Sequence, residues 1–97
     1  MAAATRQGDY CTGHDGCAPV PLIESSSNVF INGKCAGRVG DKYASHGCIT
    51  HSIHADSISS GSSTVFINGV SAARVGDSVL IAGSIQYGSN NVFIGDW

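Results

Sequence analysis

Residues 26–41 read SSNVFINGKCAGRVGD, and residues 62–77 read SSTVFINGVSAARVGD. The two segments are identical at 12 of their 16 positions. A shortened third copy, SNNVFIGD, occupies residues 89–96, and the end of the unit is echoed near the start of the chain by Arg6-Gln7-Gly8-Asp9. A short repeated unit cannot bury a core by itself, so we expect the copies to pack on one another.

Each long copy predicts one β-hairpin. The Val-Phe-Ile runs combine β-branched and aromatic residues, which favour strands. The Asn-Gly pairs that follow, at residues 32–33 and 68–69, are typical of two-residue hairpin turns. The Gly-Asp pairs at residues 40–41 and 76–77 predict a second turn at the end of each unit.

The third copy lacks its own return strand. We therefore expect Val92–Ile94 to pair with the N-terminal fragment Arg6–Asp9 and to complete a third hairpin. Three near-equivalent hairpins in one chain predict pseudo-three-fold symmetry. A monomer of this kind is suited to cap a trimer, because symmetric surfaces usually serve symmetric partners.

Length and composition predict a single small domain over residues 1–97, all-β, with no fused extension. The 13 glycines recur at fixed places in the repeat, which indicates turns rather than disorder. A net charge of −2 without a basic patch argues against a nucleic-acid partner. The N-terminus lacks the apolar run of a signal peptide, so we expect synthesis in the cytoplasm without one.

The linkers between the units carry the candidate chemistry. They contain Cys11-x-x-His14-x-x-Cys17 and His46-x-Cys48-x-x-His51-x-x-His54, which together hold all 4 histidines. Imidazole and thiolate ligands at short spacings favour zinc. These residues outnumber the four ligands of a tetrahedral ion, and Cys11 and Cys17 are also explained as small buried apolar residues.

A structural role for the metal is the stronger hypothesis. A catalytic zinc keeps one position open and needs a general base, and only Asp15 and Asp56 lie near the candidate ligands in sequence. A glycine-rich domain with a thin core gains folding free energy from a closed site. Cys35 aligns with Ser71 of the second copy and is interpreted as a strand or turn residue.

The repeats and the histidine loops together resemble the PAAR-repeat proteins, named for a Pro-Ala-Ala-Arg tetrapeptide. The resemblance covers nearly the whole chain. Here the tetrapeptide reads Cys-Ala-Gly-Arg from Cys35 and Ser-Ala-Ala-Arg from Ser71. The resemblance implies a small cone-shaped β domain at the tip of a contractile injection machine, either a type VI secretion system or a contractile phage tail.

The resemblance also implies a structural zinc near the apex, bound by three histidines and one cysteine. The histidines map onto His14, His46 and His54, whereas the usual cysteine position is occupied here by Ile81. We assign His51 as the fourth ligand and keep Cys48 as the alternative.

The implied partner is a trimeric β-helical spike protein, VgrG-like or from a phage, with one chain per trimer and transient contact with the target membrane. The predicted function is mechanical, namely to sharpen the spike for envelope puncture and to leave the cell with it, without catalysis. Two alternatives remain, a noncovalent adaptor for effectors and a zinc-dependent hydrolase. The predicted partner-binding residues are the following: Val29, Ile31, Val65, Ile67, Val92 and Ile94.

Overall fold

The computed structural model describes residues 2–13, 18–48, 51–80 and 83–95, with the backbone alone at 46–48 and 51–54. The molecule is elongated, with extents of 37 × 26 × 23 Å. Within the described ranges the regular structure consists of short strands and bridges without a helix, which confirms the predicted all-β class. No helix long and apolar enough to cross a membrane occurs in these ranges.

In the described part of the chain, eight strands form four two-stranded antiparallel sheets, paired β1–β8, β2–β3, β4–β5 and β6–β7. The two long repeats form the hairpins β2–β3 and β6–β7, as predicted. Their turns place Asn32 and Asn68 at a φ of 55°, which is the left-handed conformation that a type I′ turn requires. The strands are β1 (Ala2–Ala3), β2 (Phe30–Ile31), β3 (Lys34–Cys35), β4 (His46–Cys48), β5 (His51–His54), β6 (Phe66–Ile67), β7 (Val70–Ser71) and β8 (Phe93–Ile94).

The third hairpin forms from the two ends of the described chain, but its N-terminal strand is not the predicted one. Ala2 lies opposite Ile94, and Ala3 lies opposite Phe93, so β1 is the partner of β8. The prediction that Arg6–Asp9 is the partner of Val92–Ile94 was therefore wrong. Arg6–Asp9 instead forms the turn equivalent to Arg38–Asp41, and the strand that precedes this turn is Ala2–Ala3.

The three units close into a ring around the pseudo-three-fold axis. Three equivalent bridges join neighbouring units, Arg6 to Ala36, Arg38 to Ala72 and Arg74 to Ala4. Next to these bridges, three backbone hydrogen bonds form a closed cycle around the axis. The amide N of Gly37 donates to the carbonyl O of Thr5 (3.0 Å), that of Ala73 to Gly37 (3.1 Å), and that of Thr5 to Ala73 (3.1 Å).

Equivalent residues fill the core in sets of three. One buried cluster lies between the hairpins, and we call this part of the molecule the hairpin end. The second cluster lies where the linkers leave the units, and we call this part the linker end. The hairpin-end cluster is Ile31, Ile67, Ile94, Ala4, Ala36 and Ala72; the linker-end cluster is Leu22, Ile58, Ile85, Cys11, Tyr43, Val79 and Ala73.

Each unit also contains an ion pair between the arginine and the aspartate of its Arg-x-Gly-Asp turn. The pairs are Arg6–Asp9, Arg38–Asp41 and Arg74–Asp77, with closest N···O distances of 2.9–3.0 Å. Within each pair the aspartate also accepts a hydrogen bond from the backbone N–H of its arginine. The pairs therefore lock the turn inside one unit rather than joining neighbouring units.

Candidate metal centre and docking surface

The linkers all leave from the same end of the molecule. Each starts after the aspartate of an Arg-x-Gly-Asp turn and returns to that aspartate. The carbonyl O atoms of Asp9, Asp41 and Asp77 accept hydrogen bonds from the N–H groups of Leu22, Ile58 and Ile85, at 2.9, 3.0 and 2.9 Å. The described bases of the three linkers therefore lie in equivalent positions around the pseudo-three-fold axis.

The second linker forms a hairpin that carries most of the predicted metal ligands. It begins with a bridge between Lys42 and Ser57, and it continues into β4 and β5. In these strands His46 lies opposite His54, and Cys48 lies opposite His51. The register shifts between the two pairs, so two residues of β5 lie opposite one residue of β4. Three predicted histidine ligands and the alternative Cys48 thus lie on adjacent strands.

His14, the remaining predicted ligand, lies outside the described residues, as do Cys17 and Ile81. The base of its linker is described and adjoins the second linker. The amide N of Ala44 donates to the carbonyl O of Pro21 at 2.9 Å, and Leu22 bridges Tyr43. The fold therefore joins the linker of His14 and the linker of the other three histidines at their bases.

Two cysteines occupy the positions expected of structural residues. Cys11 is free and buried, within the linker-end cluster, which agrees with its interpretation as a small apolar residue. Cys35 lies in β3 opposite Phe30, which confirms it as a strand residue. Neither residue is among those assigned to the metal.

Tyr43 is the one member of the linker-end cluster with a phenolic hydroxyl. Its side chain is fully buried, and within the described part of the chain its hydroxyl has no hydrogen-bond partner. Burial raises the pKa of Tyr43 above its ordinary value, and unfavourable electrostatic interactions of the tyrosinate with Cys11 and Asp9 raise this pKa further. Burial opposes the tyrosinate because a charged group loses its hydration.

The hairpin end presents three equivalent phenylalanines to solvent. Phe30, Phe66 and Phe93 are 58%, 58% and 50% exposed. The isoleucine that follows each of them is buried, because successive side chains in a strand point to opposite faces. The sequence already contained this alternation, which places the phenylalanine and the isoleucine of each unit on opposite faces.

This burial places the three isoleucines of the predicted partner-binding set in the interior. Ile31, Ile67 and Ile94 are only 9%, 7% and 6% exposed and form the chain's own core. Val29 and Val92 pack against the same cluster, and Val65 is 37% exposed. The prediction chose the Val/Ile face as the outer one, whereas closure of the three-fold ring turns it inward.

Polar seams join neighbouring units at the hairpin end. In the seam that we name after Lys34, Asn32 accepts from Arg6 Nη1 (3.0 Å) and donates to Asn91 Oδ1 (2.9 Å). In the seam of Val70, Asn68 bonds to Arg38 and Asn28 in the same pattern. In the third seam, that of Ala2, Arg74 Nη1 donates to the carbonyl O of Gly95 instead (3.3 Å).

A family model described as the PAAR motif matches residues 50–96, a range that contains the second repeat and the shortened third copy. The first copy lies outside the match, but it forms the same hairpin and the same ion pair as the second. The resemblance to PAAR-repeat proteins is thereby confirmed. PAAR-motif proteins are structural spike-tip proteins rather than enzymes. No curated protein matches the chain.

Proposed function

We propose that this chain, a PAAR-repeat protein, closes the blunt end of a trimeric β-helical spike, VgrG-like or from a phage tail, with one chain per trimer. The observation that carries the proposal is the closed hydrogen-bonded cycle of Thr5, Gly37 and Ala73. Because this cycle relates the three units by a rotation, the chain presents three near-identical surfaces. A three-fold partner is the one that such a surface fits.

The hairpin end is the docking end in this proposal. Phe30, Phe66 and Phe93 are large apolar side chains, at least half exposed and repeated around the axis. Exposed apolar groups that recur in this way mark interaction surfaces. Docking would cover them and would also cover the open strand edges of a spike that ends in β-structure.

The linker end is the leading end, and we propose that zinc stabilises it. His14, His46, His51 and His54 would hold the ion, with Cys48 as the alternative fourth ligand. The register supports this set. In a regular strand His51 and His54, three residues apart, would lie on opposite faces of the hairpin. The bulge between the two cross-strand pairs interrupts the alternation, so both residues can lie on one face. Bound zinc would supply a cross-link between linkers.

The mechanical role follows from these two ends. In this proposal the symmetric hairpin end transmits force along the axis, and the linker end, once cross-linked, would concentrate it on a small area of the target envelope. The protein would travel with the spike and reach the outside of the cell by that route. No step in this mechanism forms or breaks a covalent bond.

The first test of the docking proposal is the mass of the complex. The zinc-loaded chain is mixed with the candidate trimeric spike, and the complex is measured by light scattering. We expect one chain per trimer. The triple variant Phe30→Asp/Phe66→Asp/Phe93→Asp should abolish binding, because it places three charges in an apolar interface.

Leu80 provides the matched control. It is 55% exposed in the third linker, so Leu80→Asp makes the same chemical change at the opposite end. Binding should survive this substitution. Loss of binding with Leu80→Asp but not with the phenylalanine variant would show that the linker end is the docking end and would overturn the proposal.

A further inference from the structure

The three seams at the hairpin end are unequal in charge. A cavity of about 340 Å³ opens at the Lys34 seam, lined by Arg6, Asn32, Lys34, Asn90 and Asn91. Among the described residues, no carboxylate lines it. Lys34 lies opposite Ile31 in its hairpin. The equivalent residues, which lie opposite Ile67 and Ile94, are Val70 in the second seam and Ala2 in the third. The positive side chain therefore belongs to one seam.

Hydrogen bonds inside this seam use the side-chain oxygens of Asn32 and Asn91, so the groups that remain for a ligand are hydrogen-bond donors. Asn91 Oδ1 already accepts from Asn32 Nδ2 (2.9 Å). Its amide Nδ2 is then the group available to a ligand. Asn32 uses both its oxygen and its nitrogen inside the seam.

The charge of the seam comes mainly from Lys34. Arg6 is already neutralised, because its Nε and Nη2 donate to the two carboxylate oxygens of Asp9 at 2.9 and 3.2 Å. Lys34 is exposed and has no ion-pair or hydrogen-bond partner for its side chain among the described residues. An ammonium group beside amide donors, without a competing acid, favours an anionic acceptor.

We propose that the Lys34 seam is a binding site for one carboxylate group, with Lys34 Nζ, Asn91 Nδ2 and the Asn90 amide as its donors. The carboxylate comes either from an acidic side chain of a protein partner or from a free small carboxylic acid. Because the other two seams lack the lysine, one such group binds per chain. The site does not rest on the docking proposal, since it is tested on the isolated chain.

The experiment is a ¹H–¹⁵N NMR titration of the zinc-loaded chain at neutral pH. The probes are the capped peptide acetyl-Gly-Glu-Gly-amide and sodium succinate, with sodium chloride at equal ionic strength as the blank. We expect saturable shifts of the Asn90 and Asn91 side-chain amides with one-to-one stoichiometry. Tighter binding of the peptide assigns the site to a protein partner, and tighter binding of succinate assigns it to a small acid; both support the site.

The chain offers matched variants. Lys34→Val copies the Val70 seam and should weaken binding at least tenfold, whereas Val70→Lys should add a second set of shifts at Asn68 and Asn28. Lys42→Gln removes the same charge from the other lysine of the chain and should leave binding unchanged. Equal losses with Lys34→Val and Lys42→Gln, or no saturable shifts at Asn90 and Asn91, would overturn the proposal.

Discussion

The hairpin end and the linker end are built from the same three units but are held together differently. At the hairpin end the units are nearly identical, and equivalent backbone bonds, isoleucines and alanines repeat around the axis. At the linker end the units diverge into segments of unequal length, residues 10–21, 42–57 and 78–84. Symmetry supplies the packing at one end, and the other end needs a further source of stability.

The described part of the second linker shows why the linker end needs further stabilisation. Beyond the linker-end cluster, β4 and β5 pair with one another, and among the described strands they pair with no other. An isolated two-stranded hairpin is marginally stable in water. A metal bound by residues of this hairpin and of a neighbouring linker would provide the missing free energy.

Zinc removal should produce the largest effect and should act on the linker end. If free zinc exceeds its dissociation constant a thousandfold, chelation lowers the free energy of unfolding by about 4 kcal/mol. The expected result is a lower melting temperature, with faster amide exchange at residues 51–54 than at Ala36 and Ala72. Calorimetry and hydrogen exchange measure the two quantities.

His46→Ala should reproduce the effect of chelation. Cys35→Ser is the matched control, because it removes a potential zinc ligand from the hairpin end and copies Ser71. It should leave the zinc content and the melting temperature unchanged. A metal-stripped protein that melts at the same temperature as the loaded one would refute the structural zinc.

The three Arg–Asp pairs allow a comparison within the three-fold body. Arg74 and Asp77 have side chains only 5% and 7% exposed, whereas Arg38 is 22% exposed. Arg74→Ala should cost about 3 kcal/mol, because it leaves Asp77 as an uncompensated buried charge. Arg38→Ala should cost less, about 1 kcal/mol: Asp41 is as buried as Asp77, at 7%, but removal of the more exposed Arg38 side chain opens Asp41 to water. Equal losses of unfolding free energy in urea titrations would contradict the role assigned to burial.

The cycle on the axis has little room for side chains. A Cβ on Gly37 would lie 2.7 Å from Thr5 Cγ2 and 2.9 Å from Leu22 Cδ2. Gly37→Ala should therefore cost about 2 kcal/mol in unfolding free energy. Thr5→Ser removes the Cγ2 methyl and keeps the hydroxyl that donates to the Tyr87 carbonyl O. The double variant should recover part of the loss in a double-mutant cycle, and strict additivity of the two losses would argue against the clash.

Sequence reasoning succeeded where the repeat was complete. The Asn-Gly turns and the Val-Phe-Ile runs predicted both long hairpins, because local turn chemistry decides them. It failed for the third hairpin, since the echo of the repeat at Arg6–Asp9 was visible while the preceding Ala2–Ala3 strand has no resemblance to Lys34–Cys35.

The second failure concerns which face of each hairpin is exposed, and its cause is tertiary. Alternation separates Phe30 from Ile31, but it does not say which side faces the axis. Closure of the ring makes that choice, and it buries the smaller β-branched side chains beside the alanines. The metal ligands remain a prediction, although the register of β4 and β5 places three of the histidines on adjacent strands.

The smallest expected effect concerns Tyr43, in the linker-end cluster. Its buried hydroxyl has no partner among the described residues, so Tyr43→Phe should raise the free energy of unfolding by about 1 kcal/mol at neutral pH. Burial raises the pKa of Tyr43 above the ordinary value of 10.0, so the folded state holds this proton more tightly than the unfolded state. The contribution of this bound proton to the free energy of unfolding is fully present below pH 10.0, and it is lost as the pH rises toward the folded-state pKa.

The variant isolates this contribution from those of other groups that titrate in alkali. Above pH 10.0 the wild-type free energy of unfolding should fall more steeply than that of Tyr43→Phe. The difference in slope approaches about 1.4 kcal/mol per pH unit, the value for one proton. Urea titrations at a series of alkaline pH values measure both slopes. Parallel slopes would mean that Tyr43 ionises as readily in the folded chain as in the unfolded one, and the linker-end cluster would then be open to water.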